Sequence, residues 1–144
     1  MTILRRVCAV AIVMVSFHAA AISAQSPVPA PDVPDVSGSY EVTGSNPDGS
    51  VYHGSASIEP HDGLWSLQWS FPPDGGSIGV GILTGDVLSV IFQTSGGDIG
   101  LAVFKVKRGT GTVFTLEGPW LAPPNGRGHE ILRRVAVADL RVGR

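Results

Sequence analysis

From Gly38 to Glu130 the chain is written with a period of two: about eight short segments in which apolar and polar residues alternate, each closed by Gly, Asn, Asp or Pro and none long enough for a substantial helix. Successive side chains of a strand point to opposite faces, so each segment carries one buried face and one exposed face. Consecutive strands joined by tight turns pair with one another in chain order. The expected fold is all-β, a small antiparallel up-and-down meander that closes into a barrel of about eight strands.

The clearest segment is Leu64 to Phe71, where Trp65, Leu67, Trp69 and Phe71 share one face and Ser66, Gln68 and Ser70 the other. Tyr40 and Val42 alternate with Glu41 and Thr43 before it, and Tyr52, Gly54, Ala56 and Ile58 alternate with His53, Ser55, Ser57 and Glu59. Asn46-Pro47-Asp48-Gly49 supplies the turn between these two, with Pro fixing φ and Gly accepting the positive φ that a hairpin needs. The middle segments differ. Ile78, Val80 and Ile82 alternate only with glycines, while Leu88, Val90, Phe92 and Leu101, Val103 are opposed by further apolar residues. An antiparallel strand without a wet face needs a second cover, from the C-terminal segment or from self-association. Gly79, Gly81, Gly96, Gly97 and Gly100 read as barrel-corner bends or close-packing sites. Thr112 to Trp120 is expected as a seventh strand, which Pro119, Pro123, Pro124, Asn125 and Gly126 break into a loop, and Glu130 to Val137 as the closing strand, with a short helix as its alternative.

Ahead of the ladder stand two segments of different character. Arg5 and Arg6 precede an apolar run from Val7 to Ala21, and Ile22-Ser23-Ala24 places a small residue before Gln25, so residues 1–24 read as a secretory signal peptide. The run is shorter than the roughly 20 apolar residues of a spanning helix. Cleavage after Ala24, no membrane span in the mature chain, and a secreted or periplasmic location are expected. Cys8 lies inside this segment, so the mature chain carries neither thiol nor disulfide. Residues 25–36, with Pro27, Pro29, Pro31 and Pro34, form an extended Pro-rich leader, and 37–144 the barrel domain.

Charge is unevenly placed. Residues 25–104 hold nine acids and no Lys or Arg, whereas Lys105, Lys107, Arg108, Arg127, Arg133, Arg134, Arg141 and Arg144 follow against Glu117, Glu130 and Asp139. In a meander this sets an acidic wall beside a basic one: closure either pairs opposite charges across the seam or leaves Arg127, Arg133 and Arg134 as a patch for an anionic partner. The mature chain is acidic overall, which argues against nucleic acid.

Motifs for chemistry fail when checked. Gly49 to Gly54 has phosphate-loop spacing, but Ser55 and Ala56 stand where a Lys and a hydroxyl residue are required. His53, His61 and His129 are not spaced for a metal, and His61-Asp62 and His129-Glu130 read as solvated pairs in turns. No catalytic residue, metal or cofactor is assigned, and the chain reads as non-enzymatic.

The run from Gly38 to Gly54, GSYEVTGSNPDGSVYHG, resembles the GxYxVxGxNPDGSxYxG opening of a group of small exported bacterial proteins often labelled fibronectin-binding-like. Gly79-Val80-Gly81, Gly85 to Val90, Gly118-Pro119-Trp120 and Gly128 to Leu132 are similar to later segments of that group; the Pro-rich stretch 121–126 and the Arg-rich tail depart from it. The Gly38-Ser39-Tyr40 start is also similar to lipocalin and avidin-like barrels, with Tyr40 where lipocalins carry Trp. The resemblance implies an exported β-rich binding module, adhesive through its surface toward a protein or polysaccharide. Two alternatives stand beside it: an inhibitor or assembly subunit, including a homo-oligomer, and a lipocalin-like carrier of a small apolar ligand. Tyr40, Trp65, Trp69 and Trp120 are the candidate aromatic contacts and Arg127, Arg133 and Arg134 the candidate basic ones. Large aromatics turned inward in a barrel of this size favour a filled interior and a surface role.

Overall fold

The alternating segments fold as eight strands: β1 (Gly38–Ser45), β2 (Val51–His61), β3 (Leu64–Phe71), β4 (Gly75–Thr84), β5 (Val87–Thr94), β6 (Ile99–Arg108), β7 (Phe114–Ala122) and β8 (Gly126–Arg134). Each pairs antiparallel with the next, and β8 returns to β1, so the sheet closes as one barrel in chain order. A computed structural model describes residues 33–73, 75–109, 114–124 and 126–135, all within the unit Pro31–Arg144. The expected signal peptide, the leader up to residue 32 and the tail from residue 136 lie outside the described residues. Among the described residues no helix is long and apolar enough to cross a membrane.

The inward faces are those that the alternation marks. Tyr40, Val42, Ile58, Leu67, Leu88, Phe104, Leu116 and Leu132 are all within 2 % of complete burial, and each such side chain contributes roughly 1.5–3 kcal/mol through removal from water. Trp65, Leu67, Trp69 and Phe71 all turn to this core, the outer two partly buried.

The two ends of the barrel differ. At the floor, where β1 begins and β8 ends, Val36 is completely buried and the Tyr40 hydroxyl donates to its carbonyl at 2.7 Å. Arg134 donates to the Ser37 carbonyl and, at 3.4 Å, to that of Asp35, with its guanidinium 5.2 Å from the centre of the Phe114 ring. The last residue assigned to the leader is thus part of the core: an open barrel end exposes apolar wall, and Val36 covers it. Burial pushes the Tyr40 phenol up to about 12.

The last two strands run differently from what their sequence suggests. Pro119 does not end the seventh strand: β7 runs on to Ala122, and the loop expected over residues 121–126 shrinks to the turn between Ala122 and Gly126. Lacking an N–H, Pro119 sits where the β6–β7 ladder has no pair, between Ala102↔Trp120 and Lys105↔Glu117. The closing segment is a strand from Gly126 to Arg134, so Glu130 lies within it rather than in a turn.

Outside, opposite charges lie side by side: Lys107 of β6 and Glu117 of β7 at 2.5 Å, Lys105 of β6 with Asp86 of the β4–β5 turn, and Glu41 in register with Arg133 across the β1–β8 seam. The other outer feature is apolar. Val80, Ile91, Leu101 and Leu121 are successive register partners across β4 to β7, and with Ile78, Ile82, Ile99 and Val103 they form a belt whose members are 45–62 % exposed.

Candidate functional site

Four hairpin turns rim the mouth, and each carries the same device in its register. Gly44 pairs with Tyr52, Gly75 with Phe71, Gly100 with Phe92 and Gly128 with Trp120, so every hairpin places one aromatic opposite one glycine on the inward face. Having no side chain, the glycine lets the ring lie across the wall instead of projecting over the lumen. A methyl group at Gly44 would stand 2.0 Å from the Tyr52 ring, at Gly100 2.3 Å from Phe92, and at Gly128 2.4 Å from Trp120. Phe71 leans the other way, over Gly54, where a methyl would stand 2.5 Å from it. The β1–β2 turn is held by Asp48, which accepts from the Ser50 amide at 2.9 Å and hydroxyl at 2.6 Å, with Gly49 at a φ of 85°. These bonds hold the Asp48 carboxyl below its ordinary range.

With the rings drawn back, the mouth half of the barrel is hollow. A cavity of about 420 Å³ is walled by Tyr52, Trp69, Phe71, Phe92 and Trp120, with Ala102 and Ala122 between them and Ser77, Thr94, Ser95 and Asn46 toward the rim. Tyr52 meets Phe71 edge-on at 5.3 Å between centroids, and Trp69 tilts against Phe92 at 6.0 Å. The interior expected to be filled is filled only toward the floor.

Glu130 lies on the cavity wall with only 5 % of its surface exposed. Tyr52 donates its hydroxyl to Oε1 at 2.8 Å and Trp69 donates Nε1–H to Oε2 at 3.1 Å. Burial pushes the carboxyl up to about 6, against the lowering effect of those two hydrogen bonds. Burial, reinforced by the Glu130 charge, also pushes the Tyr52 phenol up, although the nearby Trp120 N–H acts in the opposite sense. That N–H lies near the phenol without a properly formed bond: Trp120 Nε1 is buried and has no hydrogen-bond partner among the described residues. Among the described residues no three His, Cys, Asp or Glu side chains gather to hold a metal.

The seven residues singled out from the sequence separate into three places. Trp69 and Trp120 line the cup. Tyr40 is sealed in the core and Trp65 packs against it, outside the cup lining. The arginines do not converge: Arg134 caps the floor, Arg133 is exposed in register with Glu41, and Arg127 is exposed in register with Leu121. Tyr52, Phe71, Phe92 and Glu130 were not among the expected site residues. The signal for the three rings was present, as an aromatic and a glycine flanking each turn at equal offsets. For Glu130 there was none, because a Glu beside a His ahead of a hydrophobic segment reads as a solvated turn.

The barrel is similar to a redesigned β-barrel, at a TM-score of 0.58 and 16 % identity over 69 % of this chain and 91 % of that one. It is also similar to the redesigned β-barrel mFAP1 bound to DFHBI, at a TM-score of 0.52 and 16 % identity over 69 % of this chain and 94 % of that one. At that identity the likeness is one of fold. No protein-family model and no curated protein matches the chain.

Proposed function

We propose that this protein is a non-enzymatic, exported binding barrel that holds one small, flat, largely apolar molecule in its mouth cup. The observation that carries the reading is the cavity of about 420 Å³ walled by five aromatic rings, within the range of roughly 300–1,000 Å³ of small-molecule sites and apolar with a few placed polar groups, as such sites are. An eight-stranded barrel has room for one small ligand when its side chains do not fill it, and here the glycines opposite the rings keep them from doing so. The similar barrel mFAP1 is itself solved with DFHBI bound. A ligand acceptor would satisfy the Trp120 N–H, whose burial without a partner otherwise costs about 1–3 kcal/mol.

The test is titration of the mature chain with 2-naphthalenemethanol, followed by quenching of tryptophan emission. Saturable quenching is expected, and Ala102→Phe, which fills the cup from its wall, is expected to abolish it with the circular dichroism spectrum unchanged. A wild-type protein that gives no saturable response overturns the reading.

One observation favours a second reading, in which a protein partner or a second copy covers the outer belt of β4 to β7: the row Val80, Ile91, Leu101 and Leu121 is apolar and exposed. It is this belt, rather than the dispersed arginines, that offers a surface for adhesion or assembly. Native mass spectrometry of the protein isolated from its own envelope or medium reads both proposals, as a small adduct per chain for the cup and as a dimer or a captured partner for the belt.

A further inference from the structure

We propose that the cup selects a ligand with a positively charged nitrogen, seated against Glu130 and ringed by the aromatic wall. This rests on the small-molecule reading above and names the ligand's chemical class. Two features of the geometry carry it. First, Glu130 is a buried carboxylate on a cavity wall, with no cation paired to it among the described residues. Its two oxygens receive one hydrogen bond each, from Tyr52 and Trp69, while a carboxylate offers about four acceptor sites. Toward the described residues half of its accepting capacity is therefore open, and the cavity is the side from which it can be reached. Second, rings surround that carboxylate. Tyr52, Trp69 and Trp120 stand on the same cavity, and aromatic faces attract a cation within about 6 Å. A carboxylate beneath aromatic walls repels an anionic head group and leaves a neutral one without its strongest partner, whereas an ammonium gains from both.

The surroundings of Glu130 keep the assignment simple. β1 presents Val42 and Gly44 beside it, β7 presents Gly118 and Trp120, and β3 presents Trp69; none of these ionises. From β2 comes Tyr52, whose phenol is pushed up and stays protonated at neutral pH. On β8 itself Arg127, His129 and Arg133 are exposed on the outer face, and His129 approaches Glu117 there at 3.8 Å. The floor cation, Arg134, is engaged with Ser37 and Phe114. Among the described residues Glu130 is thus the one carboxylate lining the cup, and its charge is present above about pH 6.

The experiment compares three probes of one shape: 2-naphthylmethylammonium, 2-naphthalenemethanol and 2-naphthoate, titrated into the wild-type protein at pH 7.5 and again at pH 5. At pH 7.5 the ammonium is expected to bind about tenfold tighter than the alcohol, on the scale of one charge-assisted hydrogen bond with ring contacts, and the naphthoate weakest. At pH 5 the ammonium's advantage is expected to shrink severalfold while the alcohol's affinity holds. In Glu130→Gln the advantage is expected to vanish at both pH values. Equal binding of alcohol and ammonium by the wild type overturns the cation assignment and leaves the cup reading standing. Failure of all three probes overturns both. An ammonium preference that survives in a folded Glu130→Gln protein, or that does not change between pH 7.5 and pH 5, also overturns the assignment. The wild-type comparison and the pH series need no variant, so the test holds even if the substitution impairs folding.

Discussion

The floor and the mouth of this barrel are built from the same strands with the same inward periodicity, yet one is packed solid and the other is hollow. At the floor, branched aliphatics interlock with Phe104 and Tyr40, and Val36 closes the end. Around the mouth each hairpin sets a ring opposite a glycine, and the missing side-chain volume becomes the cup. The difference shows that a period-two pattern settles which face is buried without settling whether that face is filled. Filling depends on the sum of side-chain volumes meeting at one level of the barrel, and a large ring opposite glycine leaves a different shape from two branched residues of similar total volume.

Truncating one ring in each half separates the packed end from the hollow one. Phe104→Ala, in the floor, is expected to lower stability by about 3–5 kcal/mol through lost burial and a cavity that its neighbours cannot fill. Phe92→Ala, on the cup wall, is expected to cost roughly half as much, because that ring already faces a cavity on one side. Denaturant unfolding of both variants measures this; equal costs would mean that the two halves are packed alike.

A smaller effect sharpens the role of the glycines. Gly44→Ala brings a methyl against the Tyr52 ring, and the ring cannot withdraw without releasing Glu130. A loss of about 1–3 kcal/mol is expected from overpacking, together with loss of naphthalenemethanol binding. A variant that loses neither stability nor binding would show that the glycine is not what holds the cup open.

The smallest expected effect is in pH. Burial raises the Glu130 carboxyl from 4.5 to about 6 in the folded protein, so between those values the folded state binds more protons than the unfolded one. By linkage its stability then falls as pH rises: the contribution is fully present below about 4.5 and is lost as pH passes 6. The shift corresponds to about 2 kcal/mol at most. Wild type is expected to melt higher at pH 5 than at pH 8 relative to Glu130→Gln, whose thermal midpoint lacks this dependence. Parallel midpoints across that range would place Glu130 in water rather than on a buried wall.

Much of this was legible in the residues. Trp65, Leu67, Trp69 and Phe71 turn inward as their alternation requires, the Asn46-Pro47-Asp48-Gly49 turn forms where it is written, and Gly100 packs closely beneath a ring. Trp69 and Trp120 were readable as site residues because indoles on an inward face line whatever lumen exists. Tyr40 and Trp65 read identically yet ended in packed regions, since nothing in an inward alternation reports the level of the barrel at which a side chain sits. Arg134 read as part of a basic patch but belongs to the floor, because its inward parity follows from the register of β8 and not from its charge.

Strand period and turn chemistry are written in the residues themselves, and with them the closed eight-stranded meander, because alternation and φ preference act over a few residues. The site depends on long-range pairing. Tyr52 and Glu130 are 78 residues apart and Trp69 and Glu130 are 61 apart, and they meet because hydrogen-bond register, propagated around the whole sheet, carries β8 back to β1. Register is a cooperative property of paired strands, and no single segment contains it.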